Sequence, residues 1–193
     1  MSVLALSFQA DTHKYFLSDN IELPSQSRIL DWAGFVTPYP QGDYKERGTA
    51  VHYATLLLDQ GRLGKLDPRI EGYVNGYKKF LHDFPEARGA WDSSEEPKYH
   101  ETLMYAGTAD RVRKGKRGRK KLVLDIKTGT PPQKRLQLQL ALYVMLHFED
   151  FKDVGRWGLQ LFPDGDYRLM VCENIEDYPV AEGIVRRYHW EKS

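Results

Sequence analysis

The sequence contains little cysteine and no long apolar run. Its only cysteine, Cys172, excludes an internal disulfide, a zinc site built from several cysteines and a four-cysteine iron–sulfur cluster. A single unpaired cysteine is typical of a reducing compartment. No apolar stretch approaches the ~20 residues that a membrane-spanning helix needs. We therefore expect a cytoplasmic protein without a membrane span.

Two sequence motifs are also absent. The first residues, MSVLALSFQADTHKY, have a short apolar patch but no basic lead and no small-residue cleavage site, so no signal peptide is predicted. No glycine-rich loop ending in Lys-Ser/Thr is present, so we do not expect ATP as a cofactor.

The balance of charge excludes a global attraction to nucleic acid. Lys and Arg number 28 and Asp and Glu 27, which gives a net charge of +1. Any such attraction has to come from a local patch of charge. The length of 193 residues and the hydrophobic content of 41% predict one ordinary globular domain.

The periodicity of the chain predicts alternating helices and strands. We expect strands at 3–9 and 13–23, with a hairpin turn at 18–20, and further strands over about 95–127 and 156–173. Helices are predicted at about 25–34, 44–60, 68–83, 134–148 and 176–191. This order predicts an α/β or α+β layer architecture.

The stretch LVLDIKTGT, residues 122–130, ends a buried-looking strand on two charges. Residues at i and i+2 of a strand point to the same face, so Asp125 and Lys127 should lie side by side. They form either an ordinary surface ion pair or a metal ligand beside a catalytic amine.

A second carboxylate, Asp110, lies mid-strand in AGTADRV, where Asp is disfavoured. It is a turn residue, a partner of Arg111 or a metal ligand. An antiparallel hairpin can bring Asp110 and Asp125 to one end of a sheet. Two adjacent carboxylates repel each other unless a cation neutralises them. Such a pair is therefore suited to bind a hard divalent ion.

Three further polar residues lie on predicted helices. His52 follows RGTAV in a helix that also has an apolar face, so it is either a ligand or a hydrogen-bonded core residue. Gln139 and Tyr143 are one helical turn apart. Together with Asp110, Asp125 and Lys127 they form an ordered set that is more specific than any one member.

The motifs RGTAVH, GTAD, LDIKTG and QLQLALY resemble the RecB-like exonuclease branch of the PD-(D/E)XK nuclease superfamily. The segment HKYFLSDNIELPSQSRIL is similar to one in small phage-type members, and the likeness extends to the mitochondrial genome maintenance exonuclease. It spans roughly residues 13–145. The cysteines of the iron–sulfur subgroups are missing here.

The resemblance implies a restriction-endonuclease-like core, with a central mixed β-sheet flanked by helices. Residues 1–193 would form a single nuclease domain: an N-terminal hairpin and helices to about 90, a catalytic core over about 91–172 and a last helix at about 176–191. The implied activity is metal-dependent DNA exonuclease, on single strands or free ends, in phage or mobile-element recombination, replication or repair. An inactive DNA-binding subunit of the same fold and a structure-specific endonuclease are the alternatives.

The resemblance also assigns roles to residues. One or two Mg²⁺ or Mn²⁺ ions would be held by His52, Asp110, Asp125 and the carbonyl of Ile126, and Lys127 would orient or deprotonate the attacking water. The expected substrate contacts are Arg47, Thr49, Thr128, Gln139 and Tyr143. An auxiliary carboxylate is expected from Glu95, with Glu96 and Glu101 as competitors.

Two surfaces are candidates for DNA contact. The segment RVRKGKRGRKK, residues 111–121, has eight basic residues and no acid, and it is either a solvated hairpin tip or a phosphate contact. Aromatic residues of the N-terminal half could stack on bases, although most are expected in the core. They are Tyr15, Phe16, Trp32, Phe35, Tyr39 and Tyr44. A helicase, a recombinase or a single-strand-binding protein is a candidate partner.

Overall fold

The structure is a computed structural model that describes residues 5–18, 20–37, 42–89, 91–115, 120–151 and 153–193. Its strands are β1 (Leu6–Gln9), β2 (Lys14–Leu17), β3 (Ile21–Leu23), β4 (Ser93–Tyr99), β5 (Ala106–Lys114), β6 (Lys121–Lys127), β7 (Val154–Leu161) and β8 (Tyr167–Val171). Its helices are α1 (Gln26–Trp32), α2 (Tyr44–Asp59), α3 (Pro68–Asp83), α4 (Gln133–His147) and α5 (Asp177–Lys192).

The N-terminal strands form a small antiparallel sheet in the order β1-β2-β3. The predicted turn lies between β2 and β3, where Ser18 adopts a φ of 49°. Two predicted strand residues, 3 and 4, and the turn residue Asp19 lie outside the described residues. The strands at the start of the chain are therefore confirmed where the structure describes them.

The predicted helices are confirmed, and their ends follow from their capping residues. Ser25 caps α1, because its hydroxyl accepts a hydrogen bond from the Arg28 N–H at 3.1 Å. Asp67 caps α3 by accepting from the Arg69 N–H at 2.9 Å, and Pro68 occupies the first turn.

The central sheet has five strands in the order β4-β5-β6-β7-β8. The β6–β7 pair is parallel and the other neighbours are antiparallel. A parallel pair needs a crossover connection, and α4 provides it. The chain thus has a mixed α/β fold with a mixed central sheet, as predicted.

Helices cover both faces of this sheet. Core residues of α1, α4 and α5 pack together on one face, and core residues of α2 and α3 pack on the other. Helix α4 is buried almost all round, with eleven buried residues from Arg135 to Leu146. It is therefore a central helix rather than a half-buried amphipathic one, because α1, α5 and the sheet enclose it.

The basic segment 111–121 is not wholly a surface feature. Arg111 and Arg113 point into the protein, with exposures of 0% and 4%. The Arg113 guanidinium lies 5.6 Å from the Trp91 ring centroid, and its Nε donates to the Lys120 carbonyl at 3.0 Å. The prediction of an exposed tip is wrong for these two residues, because they lie within β5. Residues 116–119, in the middle of the predicted basic turn, fall outside the described residues.

Within the described ranges, no helix combines the length and the apolar character that crossing a membrane requires.

Candidate functional site

The carboxylates of Glu95, Asp110 and Asp125 lie at corresponding positions of the adjacent strands β4, β5 and β6. The pairs Ser94–Arg111 and Glu96–Ala109 set the register of β4 and β5, which puts Glu95 level with Asp110. The pair Arg111–Leu124 likewise puts Asp110 level with Asp125 on β6. The structure therefore brings the two predicted aspartates together, one on each arm of the β5–β6 hairpin.

Asp110 is buried and is held by both of its carboxylate oxygens. Oδ2 accepts a hydrogen bond from the Ile126 N–H at 2.5 Å, and Oδ1 lies 3.2 Å from Nδ1 of His52. His52 comes from α2 and its side chain is 27% exposed. The Arg111 guanidinium contacts Asp110 through its backbone carbonyl, to which it donates at 2.7 Å.

The electrostatics of this contact favour a charged pair. Burial disfavours the ionised form of Asp110, but His52, Lys127 and the Ile126 N–H together outweigh it and hold the pKa of Asp110 below its ordinary value. Burial also opposes charge on His52, yet Asp110 overcomes it and raises the pKa of the imidazole. Each partner thus stabilises the charged form of the other.

Asp125 lies deeper and is paired with Lys127, as the strand spacing predicted. Its Oδ2 is 2.7 Å from the Lys127 ammonium, and its Oδ1 accepts from Nε2 of Gln139 at 3.3 Å. The exposures of the two side chains are 2% for Asp125 and 26% for Lys127. The pair is therefore not an ordinary surface ion pair: the carboxylate is inside and the ammonium reaches the surface.

Burial dominates the proton affinity of Asp125. Removal from water and the neighbouring Asp110 raise the pKa of Asp125 above its ordinary value, although Lys127 acts in the opposite direction. Burial and Asp125 also raise the pKa of Tyr143 far above the ordinary value for a phenol, so Tyr143 keeps its proton. The Tyr143 oxygen accepts from Nε2 of Gln139 at 3.3 Å, which places the two predicted α4 residues in one network.

Glu95 is the candidate glutamate that reaches the cluster. One ligand atom each from His52, Glu95 and Asp110 lie within 4.8 Å of one another. The backbone of Glu95 has a φ of 52°, an uncommon value for a residue with a side chain. Glu96 and Glu101 are exposed and do not belong to this cluster.

The other predicted residues lie around the first turns of α2. The Arg47 guanidinium lies over the rings of Tyr44 and Tyr73, at 4.4 and 5.4 Å from their centroids. Thr49 is exposed, and its hydroxyl donates to the Lys45 carbonyl. Thr128 lies beside the same helix, because a Cβ added to Gly48 would lie 3.6 Å from its Oγ1.

Arg111 supports the site from the interior of the protein. The sequence did not predict this role. Its guanidinium is fully buried and donates to Asp59 Oδ2 at 2.6 Å, to the Asp110 carbonyl at 2.7 Å and to Thr55 Oγ1 at 3.3 Å. It thus ties the helix of His52 to the strand of Asp110. A signal did exist: His52, Thr55 and Asp59 follow helical spacing and form a polar stripe on α2.

Gln26 was also missed. It is 3% exposed and its Nε2 donates to the Tyr143 hydroxyl at 2.8 Å. No local sequence signal identifies it, because it lies in the first turn of a helix that Ser25 already caps.

The predicted aromatic platform is mostly core. Tyr15 is 1% exposed, and its hydroxyl pairs with Thr108 Oγ1 at 2.9 Å. Trp32 and Phe35 pack against the core around α4, and Tyr44 is 37% exposed. Tyr39 lies outside the described residues.

The donor set suits a divalent cation. An imidazole and two carboxylates converge at the cluster, and Glu95 Oε1 lies 3.5 Å from Nη1 of the buried Arg111. Carboxylate oxygens bind Mg²⁺ and Mn²⁺, and an imidazole in its neutral form favours Mn²⁺, so a metal would displace the proton of His52.

Comparison with solved structures shows a likeness of fold. No family model and no curated protein matches the sequence. Among solved structures, the chain is similar to a crystal structure from Eubacterium rectale named "Putative exonuclease". The TM-score is 0.53 at 10% sequence identity, over 83% of this chain and 69% of the other. The two chains are therefore similar in fold.

Proposed function

We propose that this protein is a metal-dependent DNA exonuclease of the RecB-like PD-(D/E)XK type, formed by residues 1–193 as a single domain. The observation that carries the proposal is the convergence of His52, Glu95 and Asp110 beside the Asp125–Lys127 pair. The motifs RGTAVH, GTAD, LDIKTG and QLQLALY support it, and so does the fold shared with the Eubacterium rectale protein named an exonuclease.

Four side chains and one carbonyl are assigned to the metal. His52, Glu95, Asp110 and Asp125 would supply nitrogen and oxygen ligands, and the carbonyl of Ile126 lies between the two charged residues of β6. A bound divalent cation would polarise the scissile phosphate and lower the pKa of a coordinated water.

Lys127 is assigned to the attacking water. Asp125 holds its ammonium at 2.7 Å, at the surface end of a buried carboxylate. From there the ammonium would orient the water and offset the negative charge that develops on the phosphate, whereas deprotonation of the water would require Lys127 as the neutral amine. Gln139 donates to Asp125 from α4, and the Tyr143 hydroxyl in turn accepts a hydrogen bond from Gln139.

The DNA backbone is assigned to the surface formed by the start of α2 and the residue that follows β6. Arg47, Thr49 and Thr128 lie there and are the proposed substrate contacts. The proposed substrate is a single strand or a free DNA end, in recombination, replication or repair of phage or mobile-element DNA.

The test is a cleavage assay on end-labelled single-stranded and duplex DNA beside a covalently closed circle. Each substrate is incubated with Mg²⁺, Mn²⁺ or EDTA. We expect metal-dependent loss of the linear substrates with the circle spared, and the label at each end then gives the polarity of cleavage. Digestion of the circle would identify an endonuclease instead. Binding that survives EDTA, with no cleavage under any condition, would identify a DNA-binding subunit and reject the proposal.

A further inference from the structure

The N-terminal segment places the side-chain amide of Gln26 in the interior, beside the proposed site. The Ala106 N–H donates to the Pro24 carbonyl at 3.0 Å, and Ser25 forms a parallel bridge with Ala106. These contacts fix the start of α1 against the start of β5. Gln26, the next residue, then points into the protein with 3% exposure.

Gln26 is the outer end of a chain of buried polar contacts that leads to Lys127. Its Nε2 donates to the Tyr143 oxygen at 2.8 Å, and that oxygen also accepts from Gln139 Nε2 at 3.3 Å. The Gln139 amide donates in turn to Asp125 Oδ1 at 3.3 Å. The other oxygen of Asp125 meets the Lys127 ammonium at 2.7 Å.

Gly107 leaves the space that this chain occupies. A Cβ added to Gly107 would lie 3.0 Å from Cγ of Gln26 and 3.3 Å from Cε1 of Tyr143. Both distances are shorter than ordinary van der Waals contact between carbon atoms. The glycine of the GTAD motif therefore permits Gln26 and Tyr143 to meet over β5.

We infer that Gln26 is a positioning residue for the site, which rests on the proposed function. It holds the Tyr143 hydroxyl, Tyr143 keeps the Gln139 amide directed at Asp125, and Asp125 in turn holds Lys127. Carboxylates that bind metals depend on such hydrogen-bonded supports, and loss of a support typically costs about 10–100-fold in metal affinity or activity.

The experiment compares Gln26→Met, which keeps the length of the side chain but removes the amide, with Gln137→Met as the matched control on α4. Mn²⁺ affinity is measured by titration calorimetry, and kcat and KM are measured on single-stranded DNA at saturating Mn²⁺. We expect Gln26→Met to weaken Mn²⁺ binding or lower kcat by about tenfold, with KM for DNA unchanged. If the role of Gln26 is purely structural, Gln26→Met will lower the melting temperature without lowering kcat at an unchanged KM.

A second comparison tests the route through Tyr143. In a Tyr143→Phe background, Gln26→Met should change kcat and Mn²⁺ affinity by less than about twofold, because the hydroxyl that it acts through is gone. Equal effects in both backgrounds, or equal effects of Gln26→Met and Gln137→Met, would overturn this inference alone. Absence of cleavage by the wild-type protein would overturn the proposed function and this inference with it.

Discussion

At the scale of single residues, the Asp125–Lys127 pair combines a buried charge with an accessible one. A carboxylate that is 2% exposed is costly to bury, and its contacts with the ammonium and the Gln139 amide offset part of this cost. The ammonium is 26% exposed and is directed outward, where a substrate can reach it. The pair therefore joins a buried carboxylate to an ammonium that is accessible at the surface.

Replacing Lys127 tests its proposed catalytic role. We expect Lys127→Met to stay folded, to retain Mn²⁺ binding and to lower the cleavage rate by about 10²-fold or more, in the range of single electrostatic groups. Single-turnover cleavage and circular dichroism provide the measurements. The control is Lys65→Met, at an exposed position between α2 and α3. A Lys127→Met protein that cleaves at the wild-type rate would contradict the assignment.

At the scale of secondary structure, α2 and β5 are joined by a buried ion pair that also supports the site. Arg111→Met would leave Asp59, whose side chain is only 10% exposed, with the Tyr77 hydroxyl but without its cation. We expect the free energy of unfolding to fall by about 3–5 kcal/mol, measured by urea denaturation. Arg69→Met removes an exposed pair with Asp67 and should change stability little. Similar losses in the two variants would show that Arg111 is not a structural tie.

The end of α4 carries a histidine that should limit stability in acid. Burial, reinforced by Lys98 and Lys114, lowers the pKa of His147 from 6.5 to about 4. The unfolded chain therefore binds more protons than the folded chain between these values, and stability is lost as the pH falls from 6.5 to about 4.

Replacing this histidine should make the protein less sensitive to acid. In His147→Leu, the drop in unfolding free energy between about pH 7 and pH 4 should shrink by up to about 3 kcal/mol. Urea denaturation at a series of pH values measures this drop. His82→Leu, at an exposed position on α3, serves as the control. An unchanged pH dependence in His147→Leu would refute the lowered pKa.

The elements themselves could be predicted, because their signals are local. Ser25, Asp67 and Pro68 mark helix starts, and clusters of β-forming residues mark β5 and β6 on either side of a basic turn. The hairpin register then brings Asp110 and Asp125 together. The partners of Gln26 and Arg111 could not be predicted, because Tyr143 and Asp59 lie 117 and 52 positions away in the chain. The positive φ of Glu95 has no local signal either, since nothing in its sequence neighbourhood requires it.

At the scale of the whole molecule, the site exists only when distant elements are assembled. His52 comes from α2, Glu95 from β4, Asp110 from β5 and Asp125 from β6. Any motion that separates the helix layer from the sheet would separate the proposed ligands as well. A cation that binds this assembled set binds the folded chain and not the unfolded one, so binding must stabilise the whole fold.

Thermal unfolding with added Mn²⁺ tests this linkage. At a free Mn²⁺ concentration of 100 times Kd, the fold should gain about 2.7 kcal/mol, which raises Tm by about 5–10 °C for a chain of this size. Asp110→Asn removes one ligand charge and should abolish most of the shift. Asp67→Asn, at an exposed capping position, should leave the shift intact. An equal shift in wild type and Asp110→Asn would mean that Mn²⁺ binds elsewhere, and no shift in either would mean that the four elements do not form a metal site.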